Sequence, residues 1–264
     1  AWALERGCTK AYRDSPQHVR SSVTDLRCDT SCYFFVGSLF KKGWHHCSAI
    51  GLKHIKYSQD YLELVLSLGE RVNVDLDERQ AESLVKYAEL AIEWNKIANL
   101  TGANSIESFI TGHIIDCLAV VPFLGHGSLA DIGSGAGLPG VVLAIFEPER
   151  YVTLVEPRGK RSRFLQHIKM QLGLRMLNIK SQPVEQYNPS RSLRYVISRA
   201  FGPLNEFIKK SMHLVSSQTE MVAMKASVNS RELSEATAIL GPARCIELSV
   251  PLYDRRTLVF IKKT

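Results

Sequence analysis

The chain has 264 residues, 45% of them apolar, and its 33 lysines and arginines exceed its 26 acids to leave a formal charge of +7. That length and apolar share can bury a sizeable core, which excludes a disordered chain. No uninterrupted apolar run reaches the roughly 18 residues of a membrane span, so a soluble protein with no membrane partner is expected. The charge is unevenly placed. From Lys53 to Glu156 there are seven basic and fifteen acidic residues, and from Pro157 to Arg199 ten basic residues and one acid, Glu185. Such a swing between adjacent segments suits a face built for phosphates.

Residues 1–52 stand apart from the rest of the chain. They hold four of the six cysteines, Cys8, Cys28, Cys32 and Cys47. Cys28, Cys32 and His45 begin like a zinc finger, but no second histidine comes at the required spacing, so no metal site is expected. This part reads as an extension, disordered or artefactual. The two remaining cysteines, Cys117 and Cys245, imply no disulfide framework and suit a reducing cytoplasm.

A domain is expected over 53–264, with a helical lead-in at 53–125 and an α/β core at 126–264. Leu84, Ala88, Ala91, Ile92 and Ile97 recur at helical spacing from Asp77 to Leu100, and Asp77 with Gln80 resembles a capping box. Trp94 and Asn95 are expected to pack and cap there. A second amphipathic helix runs from Ile106 to Leu118, where His113 and Asp116 share a face; they could pose as a base and its orienter, but are expected to pin the lead-in to the core by hydrogen bonds. Strands and helices then alternate: Leu129–Ile132, a helix from Pro139, Tyr151–Glu156, Lys160–Leu172, a short strand near Asn178–Ser181, Tyr195–Ser198, Leu204–Val215, Glu220–Lys225 and a helix from Ser230. The pair Cys245–Val250 and Thr257–Lys262 closes the chain. The alternation predicts a mostly parallel sheet with helices on both faces, and the final pair an antiparallel ending.

The run Leu129-Ala-Asp-Ile-Gly-Ser-Gly-Ala-Gly-Leu-Pro-Gly140 carries the chemistry. A strand ends in an acid, glycines alternate through a turn, and Pro139 is expected at the first helical position, where its missing N–H costs nothing. The glycines remove Cβ atoms where a ligand would lie, and the helix start offers free N–H donors. A dinucleotide fingerprint can be laid on Gly135, Gly137 and Gly140, but it starts four residues past Asp131 and places Pro139 inside the phosphate turn. The pattern D-x-G-x-G-x-G, the adenosylmethionine loop, matches Asp131, Gly133, Gly135 and Gly137 in full. Glu156, ending the next strand, can hydrogen-bond ribose hydroxyls in either case. Arg199 leaves an apolar strand and needs an anion, either a cofactor carboxylate or an RNA phosphate, with a salt bridge to a structural carboxylate as the alternative. A cationic cluster, Lys160, Arg161 and Arg163, crowds a helix start against the helix dipole, a placement that an anionic ligand would offset. Lys225 ends the fifth strand on the edge where Arg199 lies.

Five ordered motifs, Glu93–Thr101, Gly112–Cys117, the glycine loop, Gly159–Leu165 and Val196–Phe201, together resemble the glucose-inhibited division protein B family, bacterial methyltransferases of guanine N7 in 16S ribosomal RNA. The resemblance runs from about Leu66 to Lys263. It implies a Rossmann-like class I methyltransferase fold, S-adenosyl-L-methionine as donor, and 16S ribosomal RNA or the small ribosomal subunit as partner of a monomeric, cytoplasmic enzyme. It assigns the cofactor to Asp131, Gly133, Gly135, Gly137, Leu138, Glu156 and Arg199, with Val184 and Glu185 in an adenine-contacting loop. It also places Lys160 in the active-site region, and RNA contacts are expected at Lys160, Arg161, Arg163 and Lys225. Pro183 departs from the family, which usually carries arginine there. The chain has no Asn-Pro-Pro-Tyr run and no cysteine in the expected base pocket, and guanine N7, which bears no proton, needs no general base. A non-catalytic nucleotide- or RNA-binding module on the same fold is the alternative from the residues alone.

Overall fold

The structure is a computed structural model and describes residues 59–263. The extension at 1–52, with its cysteine–histidine pattern, lies outside the described residues. A first helix, α1, covers 59–71 and α2 covers Glu78–Ala98. The capping box forms as expected: Asp77 Oδ1 accepts from the Gln80 backbone N–H at 2.7 Å, and Gln80 Oε1 accepts from Asp77 N–H at 2.8 Å. Asn99 ends α2 in the left-handed conformation. Asn95 then fixes the outgoing turn, accepting from Leu100 and Thr101 and donating to the carbonyls of Thr101 and Ala103. Trp94 lies 5.7 Å from the Phe164 ring and 5.4 Å from that of His167.

The next helix departs from the expected single α-helix. It is α-helical at Ile106–Phe109 (α3) and Ile115–Leu118 (α4), with a π-turn at Ile110–Ile114 between them. A π-turn loosens the carbonyl ladder and frees acceptors for other partners. Two are taken here: Gly112 O accepts from the Tyr253 hydroxyl, and His113 O from Arg199. The segment Ile106–Phe123 is long and apolar enough to cross a membrane by length and composition. It is not an unbroken apolar run, because Gly112, His113 and Asp116 interrupt it. In the fold Phe109, Ile110, Ile114, Ile115, Cys117 and Leu118 are fully buried in the core.

Seven strands form one sheet in the order β3-β2-β1-β4-β5-β7-β6. These are β1 (Leu129–Ile132), β2 (Val152–Val155), β3 (Leu177–Lys180), β4 (Tyr195–Arg199), β5 (Glu220–Lys225), β6 (Ala243–Leu248) and β7 (Arg256–Lys262). The first five are parallel, and β7 runs antiparallel to both β5 and β6. Helices α5 (Gly140–Phe146) and α6 (Gly159–Gln171) share one core with α2, while α7 (Leu204–Ser211) and α8 (Ser230–Leu240) share the other. The alternation of strand side chains divides them: Tyr195 and Ile197 of β4 enter the first core, Val196 the second. The order reverses beside β1, so the crevice that open α/β sheets offer to ligands falls beyond the carboxyl ends of β1, β2 and β4.

The lead-in helices are part of the first core and not an appendage to it. Tyr87 of α2 is fully buried, packs edge-on to Phe109 at 5.4 Å and stacks on Phe164 at 6.5 Å. Its hydroxyl donates to Ala136 O, at 2.6 Å, inside the glycine turn. Tyr87→Phe leaves that buried carbonyl without its donor and should lower unfolding free energy by about 1–3 kcal/mol, read by denaturant titration, while far-UV circular dichroism stays unchanged.

Candidate functional site: a nucleoside cleft beyond the parallel strands

The turn after β1 is held by its neighbour strand. Val155 O accepts from Gly133 N at 2.8 Å, and Ser134 Oγ bonds back to Asp131 O at 2.9 Å. Gly133, Gly135 and Gly137 all have positive φ, as the spacing requires, but their Cβ positions separate them. A Cβ at Gly135 would meet only Arg161 Nη1, at 3.7 Å, and Gly133 O, at 3.8 Å, both ordinary contacts, so this position has room. At Gly137 it would stand 2.5 Å from Val141 Cγ2 and 2.9 Å from Leu165 Cδ2, and at Gly140 it would collide with Leu154 Cδ2. The expectation that each glycine clears room for a ligand is therefore corrected: Gly137 and Gly140 let the turn and α5 press onto the core. Pro139 is corrected as well; it precedes α5 as the cap residue, and the helix starts at Gly140.

A cleft of about 400 Å³ opens beside this turn. Ile132 and Gly133 form one wall, Val155, Glu156 and Pro157 the floor, and Pro183, Val184 and Glu185 the opposite side. Glu156 is buried and ties the parts together, accepting from Gly135 N and Arg158 N at 2.9 Å each. Each carboxylate oxygen keeps lone-pair capacity for a hydroxyl donor. Three further walls have no counterpart among the residues expected from sequence: Arg158, Phe201 and Lys210. Phe201 follows Ala200, a non-glycine residue at φ 56°, and this left-handed step is the local backbone strain that functional turns retain. Lys210, from α7, lies 3.8 Å from Glu185 and 5.9 Å from the Phe201 ring centre. Only the packing of α7 brings it here, and no local pattern marks it.

Asp131, expected to hold the cofactor, lies under the turn, fully buried, and like Gly135 and Gly137 is not among the cleft walls. Its Oδ2 accepts from Gly140 N at 2.9 Å, whereas Oδ1 has no hydrogen-bond partner. Burial pushes this carboxyl up to about 7; the Gly140 N–H opposes the rise, Glu156 adds to it, and Arg199 and Ser134 oppose it. An unpaired buried oxygen is costly and marks a place where a donor belongs.

Arg199, and Arg161 of the basic cluster, require correction. Arg199 does not line the cleft. Its Nε lies 3.3 Å from Asp116 Oδ2, its Nη2 2.7 Å from His113 Nδ1 and its Nη1 3.4 Å from Cys117 Sγ. The anion it needs is Asp116, which meets Arg256 Nε with its other oxygen at 2.9 Å. A guanidinium only donates, so His113 Nδ1 is the acceptor and Nε2 donates to Thr101 Oγ1 at 2.6 Å. Burial, then Arg199, holds His113 down at about 4, a neutral ring. His113 and Asp116 thus pin the lead-in to the sheet, as expected from their spacing. Burial pushes the Cys117 thiol up to about 12, which leaves it inert.

Leu138 is buried in the core and its N–H bonds Ser134 O, so it forms no wall of the cleft. Lys225, expected to reach RNA, is paired within the chain: Nζ donates to Glu232 Oε1 at 2.7 Å and to Gly202 O at 3.0 Å. Arg161, expected to face RNA, stands in the cleft wall beside Gly135. Lys160 and Arg163 are exposed, and Lys160 joins Arg158, Arg161, Ile97 and Asn99 around a second recess of about 360 Å³ between the end of α2 and the start of α6. No metal-holding group of three or more His, Cys, Asp or Glu side chains occurs among the described residues.

The GidB family, rRNA small subunit methyltransferase G, matches residues 80–259, the lead-in helix α2 through β7 and so every wall of the cleft. The chain belongs to this family. It is 37% identical over 205 residues to the ribosomal RNA small subunit methyltransferase G of Stutzerimonas stutzeri, covering 76% of this chain and 95% of that protein. The enzyme of the same name from Methylobacillus flagellatus is 38% identical over 192 residues, 72% of this chain and 93% of its own. Among solved structures, the METTL16 methyltransferase domain superposes with a TM-score of 0.50 at 14% identity, covering 70% of this chain and 81% of that one, a likeness of fold. The chain is a class I methyltransferase and S-adenosylmethionine is its donor.

The two kinds of glycine should separate experimentally. Gly135→Ala should leave the fold intact at a strain cost of roughly 1–2 kcal/mol and abolish adenosylmethionine binding by calorimetry. Gly137→Ala must also displace Val141 and Leu165, and its melting temperature should fall well below that of Gly135→Ala. The Asp131 carboxyl gives a second expectation. Its folded value lies above the ordinary carboxylate range, so the free protein holds the proton below about pH 7. Protonated, it cannot accept from an ammonium donor through both lone-pair sets; calorimetric affinity for adenosylmethionine should therefore rise with pH through about 7, and Asp131→Asn should abolish that dependence.

Proposed function

We propose that this chain methylates N7 of a guanine in 16S ribosomal RNA through the cleft between β1, β2 and β4. The observation that carries the reading is a pair of acceptors at the glycine turn: the unpartnered Asp131 Oδ1 buried beneath it, and the Glu156 carboxylate on the cleft floor, bonded to Gly135 N. A buried acceptor fits an amino group, a carboxylate with spare lone pairs fits a ribose diol, and a bare backbone fits the chain between them. The residues present therefore fit adenosylmethionine. When bound, that cofactor supplies an electrophilic methyl group on a sulfonium.

Within this site Glu156 holds the ribose hydroxyls, Val184 gives the nucleoside base an apolar wall, and Asp131 receives the amino group. Arg161 places a cation beside Gly135. Guanine N7 carries an in-plane lone pair and no proton, so no residue has to act as a base. What the protein contributes is alignment and exclusion of water, worth several orders of magnitude when the geometry is held. Methylation leaves positive charge on the purine ring, and Glu185, at the cleft rim, is the carboxylate that offsets it. Lys160 and Arg163, with Arg158, form the phosphate-binding flank on the β2 side. The acceptor would be ribosomal RNA or the small ribosomal subunit, met by a monomer in the cytoplasm.

Mapping N7-methylguanine in 16S ribosomal RNA from cells with and without the protein tests this directly: one site should disappear, and an unchanged map would overturn the reading. Glu156→Ala should weaken adenosylmethionine by about 1–3 kcal/mol through lost charged hydrogen bonds. The double variant Lys160→Ala, Arg163→Ala should keep cofactor affinity and shallow the salt dependence of RNA binding by roughly 0.7–0.9 per lost phosphate contact. If the slope stays parental, the RNA footprint lies elsewhere.

A further inference from the structure

Leu252 lies in the turn joining β6 to β7, with its backbone at φ 69° and 77% of the residue exposed. A lone exposed leucine is ordinary, but a bulky residue at positive φ is an outlier that persists only where its surroundings enforce it. The enforcement is visible. The Tyr253 N–H bonds Val250 O at 3.2 Å, and the Tyr253 hydroxyl donates to Gly112 O at 2.5 Å. The Arg256 guanidinium lies 3.5 Å from the Tyr253 ring centre and bonds Asp116. The base of the turn is fixed while its apolar tip faces solvent.

The turn leaves the sheet on the side of the cleft. Lys225 pairs with Thr257, so residues 250–256 lie beyond the carboxyl end of β5, as Gly133, Glu156 and Ala200 lie beyond β1, β2 and β4. Asp116 joins the base of the turn to the tip of β4, with Arg256 on one oxygen and Arg199 on the other. Two guanidiniums share a single carboxylate, and Arg255 beside them is exposed. Asp254 is exposed in the same turn, so three guanidiniums, Arg199, Arg255 and Arg256, stand against two carboxylates, Asp116 and Asp254, and the rim keeps one excess positive charge around one apolar projection.

That combination fits stacked RNA. N7 faces the major groove, which in A-form RNA is deep and too narrow for a protein cleft to reach. A stacked guanine must be swung out before its N7 can enter a site, and apolar wedges set among cationic side chains separate bases in this way. Resting on the reading of this chain as a ribosomal RNA guanine methyltransferase, we propose that Leu252 is a positioning wedge: it enters the base stack beside the target guanine and holds it open, with Arg255 on the adjoining phosphate.

The test uses the full chain and an unmethylated 16S transcript carrying 2-aminopurine next to the mapped guanine. Leu252→Asn keeps a residue that tolerates the left-handed conformation but removes the apolar tip; Leu252→Met keeps an apolar tip. Parent and Leu252→Met should raise 2-aminopurine fluorescence on binding. Leu252→Asn should lose that rise and about tenfold or more in the single-turnover rate, with parental adenosylmethionine affinity and melting temperature. Retained fluorescence in Leu252→Asn, a rate loss without a fluorescence loss, or no rise with the parent would each overturn the wedge. An unchanged N7-methylguanine map in cells overturns the acceptor instead, which the fluorescence does not read.

Discussion

The Asp116 carboxylate, buried between Arg199 and Arg256, is the contact on which the arrangement of this protein depends. It belongs to the lead-in helices, and its partners come from the tip of β4 and the start of β7. Charges removed from water are expensive, and loss of one partner from such a group leaves another uncompensated. The sheet edge, the turn after β6 and the lead-in are thereby coupled: none can shift alone without stranding a charge. The π-turn beside Asp116 belongs to the same solution, because it frees the Gly112 and His113 carbonyls for Tyr253 and Arg199.

Much of the cleft depends on holding this edge still. Tyr87 reaches from α2 to the Ala136 carbonyl, so the glycine turn is braced from the lead-in side while Glu156 braces it from β2. The two supports meet the turn on different residues, leaving Gly133 in the cleft wall and room at the Cβ position of Gly135. Gly137 serves the opposite purpose, close approach to Val141 and Leu165. A binding loop built this way is organised before its ligand arrives, which lowers the ordering cost of binding.

The strands, the capping box, the glycine turn and Glu156 are legible in the sequence because each rests on local rules: period, cap chemistry, positive φ and position at a strand end. What escapes is set by partners distant in the chain. An arginine at the end of β4 needs an anion on sequence grounds alone, but whether a cofactor or a protein carboxylate supplies it depends on the helical lead-in folding back over β4. Lys225 looks free in the sequence only because its partner, Glu232, lies on the next helix. Arg161 has the same charge as Lys160 and Arg163 and differs from them by a rotation of about 100° per residue on α6, enough to turn it into the cleft. Lys210 carries no local signal and becomes a wall only through the packing of α7, while Phe201, the last residue of the Val196–Phe201 motif, is set by the left-handed step at Ala200.

These placements divide the carboxyl edge of the sheet by chemistry. Its β1–β2 part offers buried carboxylates and bare backbone, acceptors suited to a cationic, hydroxyl-rich nucleoside. On the β2 flank, Arg158, Lys160 and Arg163 are exposed or nearly so, and on the β5–β7 flank the Arg199–Asp116–Arg256 group carries one carboxylate for two guanidiniums. The cleft between these flanks is lined by Arg158, Arg161 and Lys210 as well as Glu156 and Glu185. An anionic polymer laid across the edge would therefore meet cations on both flanks and in the cleft wall, while Val155, Pro157, Val184 and Phe201 give a nucleobase an apolar surface that a phosphate cannot use.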